Sequence, residues 1–246
     1  VINNRFFLLA CLLFLALNVV ADEPDWTSYQ AVLTHVKPGV KDGISLMLVD
    51  YQAIKTNGGL EKAYQGLATF NLDRLSGRQE KLAFYINVYN ILALKMVADH
   101  WPTKSIKDVG SFFKPVWDKP AGALMGNTVT LGEIEHKILR PMREPRIHLA
   151  IVCASVSCPD LRNEPYTATR LDKQLDDQAR GFLNNQGKGL KIEGHIIRIS
   201  KIFDWFEADF DVDGGVRAFI KRYKSQLPDL EIEANIPYDW AVNGVE

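Results

Sequence analysis

Apolar positions along the chain mark a leader first and then an alternation of helices and hairpins. Arg5 is followed by a nearly unbroken apolar run, Phe6 to Val20, which closes in Val19-Val20-Ala21 ahead of the acidic Asp22-Glu23. A basic start, an apolar middle and small residues before the cut predict a signal peptide over residues 1–21, cleaved after Ala21. The expected product is periplasmic or secreted, with no stable membrane span after cleavage. The same run is near the short limit for an uncleaved anchor. A lipoprotein would use Cys11, which only five apolar residues precede. Residues 22–246 are long enough for one globular domain with a full-sized core.

In that part, Trp26, Tyr29, Leu33 and Val36 recur at helical spacing, and Pro38-Gly39 marks the expected end of a helix over residues 25–36. Further helices are expected over 60–70, 79–99, 131–140, 169–184 and 216–225. Ser76-Gly77-Arg78-Gln79-Glu80 is a start signal for the longest of these, and Trp101-Pro102 stops it. Hairpins are expected around Gly126-Asn127 and Glu193-Gly194, a β run over Arg146 to Ala154 and a short strand near Tyr238 to Val242. Helices interleaved with short hairpins give an α+β fold, with a buried central helix and a small, mainly antiparallel sheet.

Polar residues that break an apolar face are the first candidates for chemistry. The helix over 79–99 is apolar nearly all round, which is the pattern of a buried helix. Asn87 and Asn90 interrupt it three residues apart. Each amide is expected either to clamp a neighbouring segment of backbone or to face a pocket and bind substrate. In the helix over 131–140, Glu135 lies inside the stripe of Leu131, Ile134, Ile138 and Leu139, with His136 at its border. A carboxylate there needs a cation, a set of donors or a polar cavity.

Composition narrows the field. With 29 basic and 30 acidic residues and no basic run, the chain has no electrostatic attraction for nucleic acid. Its three cysteines, Cys11, Cys153 and Cys158, are too few for a disulfide scaffold. Cys153 and Cys158 belong to His148-Leu149-Ala150-Ile151-Val152-Cys153-Ala154-Ser155-Val156-Ser157-Cys158-Pro159. Read as a strand running into a loop, this segment presents a thiol at the strand end, followed by Ser155, Ser157 and a second thiol. A short-range disulfide between the two cysteines is the structural alternative. A metal site on His136, His148 and the cysteines would lack the spacing of a closed zinc site, so neither a metal nor any other cofactor is expected.

Leu82-Ala83-Phe84-Tyr85-Ile86-Asn87-Val88-Tyr89-Asn90, Ser105-Ile106-Lys107-Asp108, Ile134-Glu135-His136 and the Cys-x4-Cys-Pro segment resemble the signature blocks of the domain-of-unknown-function family 547. Ser200 to Phe206 and Tyr238-Asp239-Trp240 resemble it as well. The resemblance implies an outline similar to the papain and transglutaminase-like thiol folds, and a Cys/His/Glu site. The central helix departs from the papain pattern, since it carries Asn87 and Asn90 and no cysteine.

The expected chemistry is attack by a thiolate on an acyl or amide carbon. Cys153 is the preferred nucleophile and Cys158 the second, His136 or His148 is the base, and Glu135 orients it. Asn87, Asn90 and Ser157 are the expected substrate contacts. The alternative is a non-catalytic module that binds a small molecule, peptide or thiol compound. The sequence leaves the substrate, the oligomeric state and the pairing of histidine with cysteine open.

Overall fold

The structure, a computed structural model, describes residues 23–111 and 113–245. The leader pattern and Cys11 lie outside them. The chain is α+β, as the alternation of patterns predicts. Helix α1 (Thr27–Leu33) leads into a hairpin of β1 (Val36–Lys41) and β2 (Ile44–Val49), and then come α2 (Tyr51–Thr56) and α3 (Gly59–Ala68). Pro38-Gly39 therefore lies within a strand instead of ending a helix. The turn is made by Asp42-Gly43, whose positive φ values of 50° and 76° suit the twist of a two-residue hairpin.

Helix α4 (Arg78–Asp99) is the axis of the larger of two apolar clusters. The Glu80 carboxylate caps its start by accepting from the Ser76 and Gly77 amides at 2.8 and 2.9 Å. It is long and apolar enough to cross a membrane, but here protein surrounds it. Helices α2 and α3 and the hairpin of β3 (Pro120–Leu124) and β4 (Asn127–Thr130) pack around it.

A helical segment follows β4 directly. Its first turn, α5 (Leu131–Glu133), opens into a π-helical stretch, Ile134–Leu139, and tightens to 3₁₀ over Arg140–Met142. The sequence predicts one regular helix here. Pro141 has no N–H, and its ring crowds the carbonyl four residues back, which favours the wider turn before it.

The smaller cluster joins α6 (Leu171–Asn184), β5 (Leu190–Glu193), β6 (Ile196–Ser200), α7 (Ile202–Trp205) and α8 (Val216–Tyr223). Strand β7 (Glu231–Ile236) pairs parallel with β6, which itself pairs antiparallel with β5. The last strand thus precedes the expected one, and residues 238–242 are extended with a single bridge, Ser155 to Val242.

The β run expected over Arg146 to Ala154 is also absent. Pro145 to Leu149 is a 3₁₀ turn, started by the Glu144 carboxylate accepting from the Arg146 amide. The segment is buried and largely apolar, as a central strand would be, but the Ala150 and Ile151 amides turn back to the Ile147 carbonyl and a side chain pairs the backbone that follows. Asn90 accepts from the Val152 N–H at 2.8 Å and donates to the Ala150 carbonyl at 3.1 Å.

Candidate functional site

The two cysteines are drawn together by backbone. Ala154 sits at φ 60°, a left-handed conformation that costs a residue with a Cβ on the order of 1 kcal/mol. A turn follows, in which the Cys158 amide donates to the Ser155 carbonyl at 3.1 Å. The C-terminal segment lies alongside: Asn243 donates to Ala154, Val156 to Ala241 and Ser157 to Asp239 through main-chain bonds. Ser157 Oγ accepts from the Asp239 amide at 2.8 Å, so its hydroxyl holds this junction and does not face a substrate.

Both thiols are free and buried. Their sulfurs are 2.7 Å apart, and the Cys153 amide donates to Cys158 Sγ at 2.8 Å. Ser155 Oγ and the Tyr238 hydroxyl each lie 3.4 Å from Cys153 Sγ, and the Ser155 backbone adds a further hydrogen bond. Donation from Cys158 first, and from these groups after it, pulls the Cys153 thiol well below its ordinary value against the cost of burial. Burial, and then the sulfur beside it, push Cys158 up. When the pair ionises, the negative charge therefore falls on Cys153 and Cys158 keeps its proton.

Glu135 faces this charge. The π turn buries Ile134, Glu135 and Leu139 and leaves His136 and Lys137 exposed. Burial, and next the Cys153 charge, raise the Glu135 carboxyl to about 7, while Arg140 and a hydrogen bond from Tyr89 act the other way. Between about 6, where Cys153 ionises, and about 7 it is a neutral acid beside a thiolate.

The histidines take other roles than expected, and neither sulfur is hydrogen-bonded to an imidazole. His148 is buried and stacked on Phe206 at 4.0 Å, and its Nε2 donates to Asp209 Oδ2 at 2.7 Å. Asp209 is held in turn by Arg140 through two bonds, of 2.6 and 3.0 Å. Burial lowers His148 to about 4, against the pull of Asp209. The ring is therefore neutral, with a bare lone pair on Nδ1. That nitrogen has no hydrogen-bond partner, and Glu135 Oε1 is 3.9 Å from it. His136 accepts at Nδ1 from Arg140 Nη1 at 3.2 Å, and burial lowers its pKa.

Cys153, Cys158, Glu135, His136 and His148 all line one cavity of about 200 Å³, walled by Trp117, Trp205, Tyr238 and Trp240. Cys153 belongs to the larger apolar cluster and Phe206 and Ile202 to the smaller, so the cavity lies on the seam between them. Asn87 and Asn90 are outside it. Both are spent on backbone, Asn87 accepting from the Tyr166 amide at 2.9 Å and donating to its carbonyl at 2.8 Å. The expectation that they contact substrate is corrected to a pair of clamps. Among the described residues, no three His, Cys, Asp or Glu side chains are placed to hold a metal ion.

Residues 72–183 match the model of a family described as a protein of unknown function, DUF547. Over that segment the chain is similar to the DUF547 family. No curated protein and no solved structure matches it. Cys153, Cys158, Glu135 and His148 all fall inside the matched DUF547 segment, while Asp209, Tyr238 and Trp240 lie beyond it. Asp209 gives no signal in the sequence. Tyr238 and Trp240 belong to the Tyr238-Asp239-Trp240 block that resembles the family, but nothing in the sequence ties them to a cysteine 85 residues earlier.

Proposed function

We propose that this protein is a thiol-dependent acyl or amide hydrolase or transferase with Cys153 as the nucleophile. The observation that carries the reading is the convergence of Cys158, Ser155 and Tyr238 on Cys153 Sγ at the wall of a cavity shared with Glu135 and His148. A thiolate stabilised by neighbouring donors needs no imidazole to remove its proton. Attack of Cys153 on a carbonyl carbon forms the S–C bond. Glu135 protonates the departing amine or alkoxide, and the carboxylate left behind, with His148 Nδ1, accepts a proton from the water or acceptor that cleaves the thioester. Asp209 keeps the His148 proton on Nε2, and so keeps Nδ1 free. The leader pattern of residues 1–21 supports export of the protein that carries this site.

Alkylation by iodoacetamide followed against pH tests the nucleophile. Wild type should react at one thiol with a half-point well below the ~8.5 of a free cysteine, Cys153→Ser should not react, and incubation with activated esters should leave an acyl adduct on Cys153. Two thiols that react only at alkaline pH would overturn the reading. The lack of a Cys–His hydrogen bond favours one competitor, a binding module, which fast alkylation without any acyl adduct would support.

A further inference from the structure

We propose that Cys153 and Cys158 form a reversible oxidation site, at which a hydroperoxide oxidises Cys153 and Cys158 closes the disulfide. This rests on the reading above only in taking Cys153 as the reactive sulfur.

Three observations carry it. The sulfurs stand 2.7 Å apart as free thiols, so a disulfide of ~2.05 Å needs under an ångström of movement. The backbone already holds both side chains on one turn, through the left-handed Ala154, the Cys158 to Ser155 bond and the Cys153 amide on Cys158 Sγ. Cys153 and Cys158 both line the cavity, so a small oxidant reaches the pair without unfolding. Cys158 stands within reach of the sulfur that an oxidant would attack. As a resolving group it protects the nucleophile from irreversible oxidation.

The steps balance. Cys153 sulfur attacks the terminal oxygen of the hydroperoxide and the O–O bond breaks. Sulfur is oxidised to the sulfenic acid, the peroxide is reduced, and the departing alkoxide takes a proton to leave as alcohol. Glu135, protonated at mildly acidic pH, is placed to supply that proton. Cys158 then attacks the sulfenic sulfur, the S–O bond breaks, and the expelled hydroxide leaves as water with the Cys158 proton. Two thiols and one hydroperoxide have become a disulfide, an alcohol and water. An external dithiol reverses the modification by two thiol–disulfide exchanges and becomes the disulfide itself. While the S–S bond stands, Cys153 has no nucleophile, so oxidation switches the site off reversibly.

The test treats the reduced, full-length chain with one equivalent of hydrogen peroxide near neutral pH and follows intact mass. Wild type should lose two hydrogens and its reactive thiol, and dithiothreitol should restore both. Cys158→Ser should instead gain one oxygen and be trapped by dimedone, and on further equivalents of peroxide should progress to forms that dithiothreitol does not rescue. Cys153→Ser should stay unchanged over the same time. Oxygen addition to wild type without loss of two hydrogens, or a Cys158→Ser protein as recoverable as wild type, would overturn the proposal. Iodoacetamide on untreated protein separates the two readings. Fast alkylation of Cys153 with no disulfide sinks only the oxidation site, whereas slow alkylation together with inertness to peroxide sinks both.

Discussion

Glu135 and His148 drive the pH dependence of stability in opposite directions. Glu135 has its folded pKa raised from 4.5 to about 7, mainly by burial and then by Cys153. Across that window the unfolded chain has given up a proton that the folded chain keeps. Stability from this group is therefore full below about 4.5, falls as pH rises, and is lost above about 7. The loss is on the order of 3 kcal/mol. His148 is depressed from 6.5 to about 4, mainly by burial. There the unfolded chain binds the extra proton, so stability rises with pH until about 6.5. The two slopes nearly cancel over their shared range. Glu135→Gln removes one and uncovers the other. Urea unfolding at a series of pH values should show the stability of the variant, relative to wild type, growing steadily from pH 4.5 to about 7 and levelling above it. A difference that stays constant across that range would show that Glu135 is not the buried acid described.

At the scale of elements, the two amides of α4 do similar structural work with different consequences for the site. Asn87 ties the backbone of Tyr166, and Asn90 ties the segment that delivers Cys153. Truncating either leaves a buried N–H and a buried carbonyl unpaired, at about 2–4 kcal/mol. Asn87→Ala and Asn90→Ala should therefore lose comparable stability in urea. Only Asn90→Ala should also slow Cys153 alkylation, because the strained turn at Ala154 depends on the anchored residues before it. Equal alkylation in both variants would refute this role.

The same clamp explains which elements can be read from the sequence. Helices α3, α6 and α8 announce themselves by period and α4 by its start and stop signals. The segment from Arg146 to Ala154 does not, because a continuous apolar run carries no period, and its Ala150 carbonyl is held by a side chain 60 residues away. Glu135 is legible as a misplaced charge in an apolar stripe. The π turn that aims it inward is not, since it arises from Pro141 after the helix and leaves no mark in the stripe.

The molecule as a whole is two apolar clusters, with its candidate chemistry on the seam between them. Tyr238 packs against both. Its ring lies 4.8 Å from Trp205 and 4.5 Å from Trp240, and its hydroxyl reaches Cys153 Sγ and Ser155 Oγ. One residue therefore joins the packing of the two clusters to the electrostatics of the thiol, and two substitutions separate these roles. Tyr238→Phe keeps the ring and removes a donor from Cys153. It should move the alkylation half-point to higher pH and slow the reaction at pH 7, with a stability cost of about 1 kcal/mol. Tyr238→Ala also removes the packing, and should cost a further 2 kcal/mol or so, since a partly buried ring gives less than the 3–5 kcal/mol of a fully buried one. In hydrogen exchange, Tyr238→Ala should lower protection of the β6 and α4 amides together, because both clusters lose a shared wall. Loss confined to one cluster would place Tyr238 within that cluster instead of on the seam. An unchanged thiol half-point in Tyr238→Phe would remove its hydroxyl from the set of donors that stabilises Cys153.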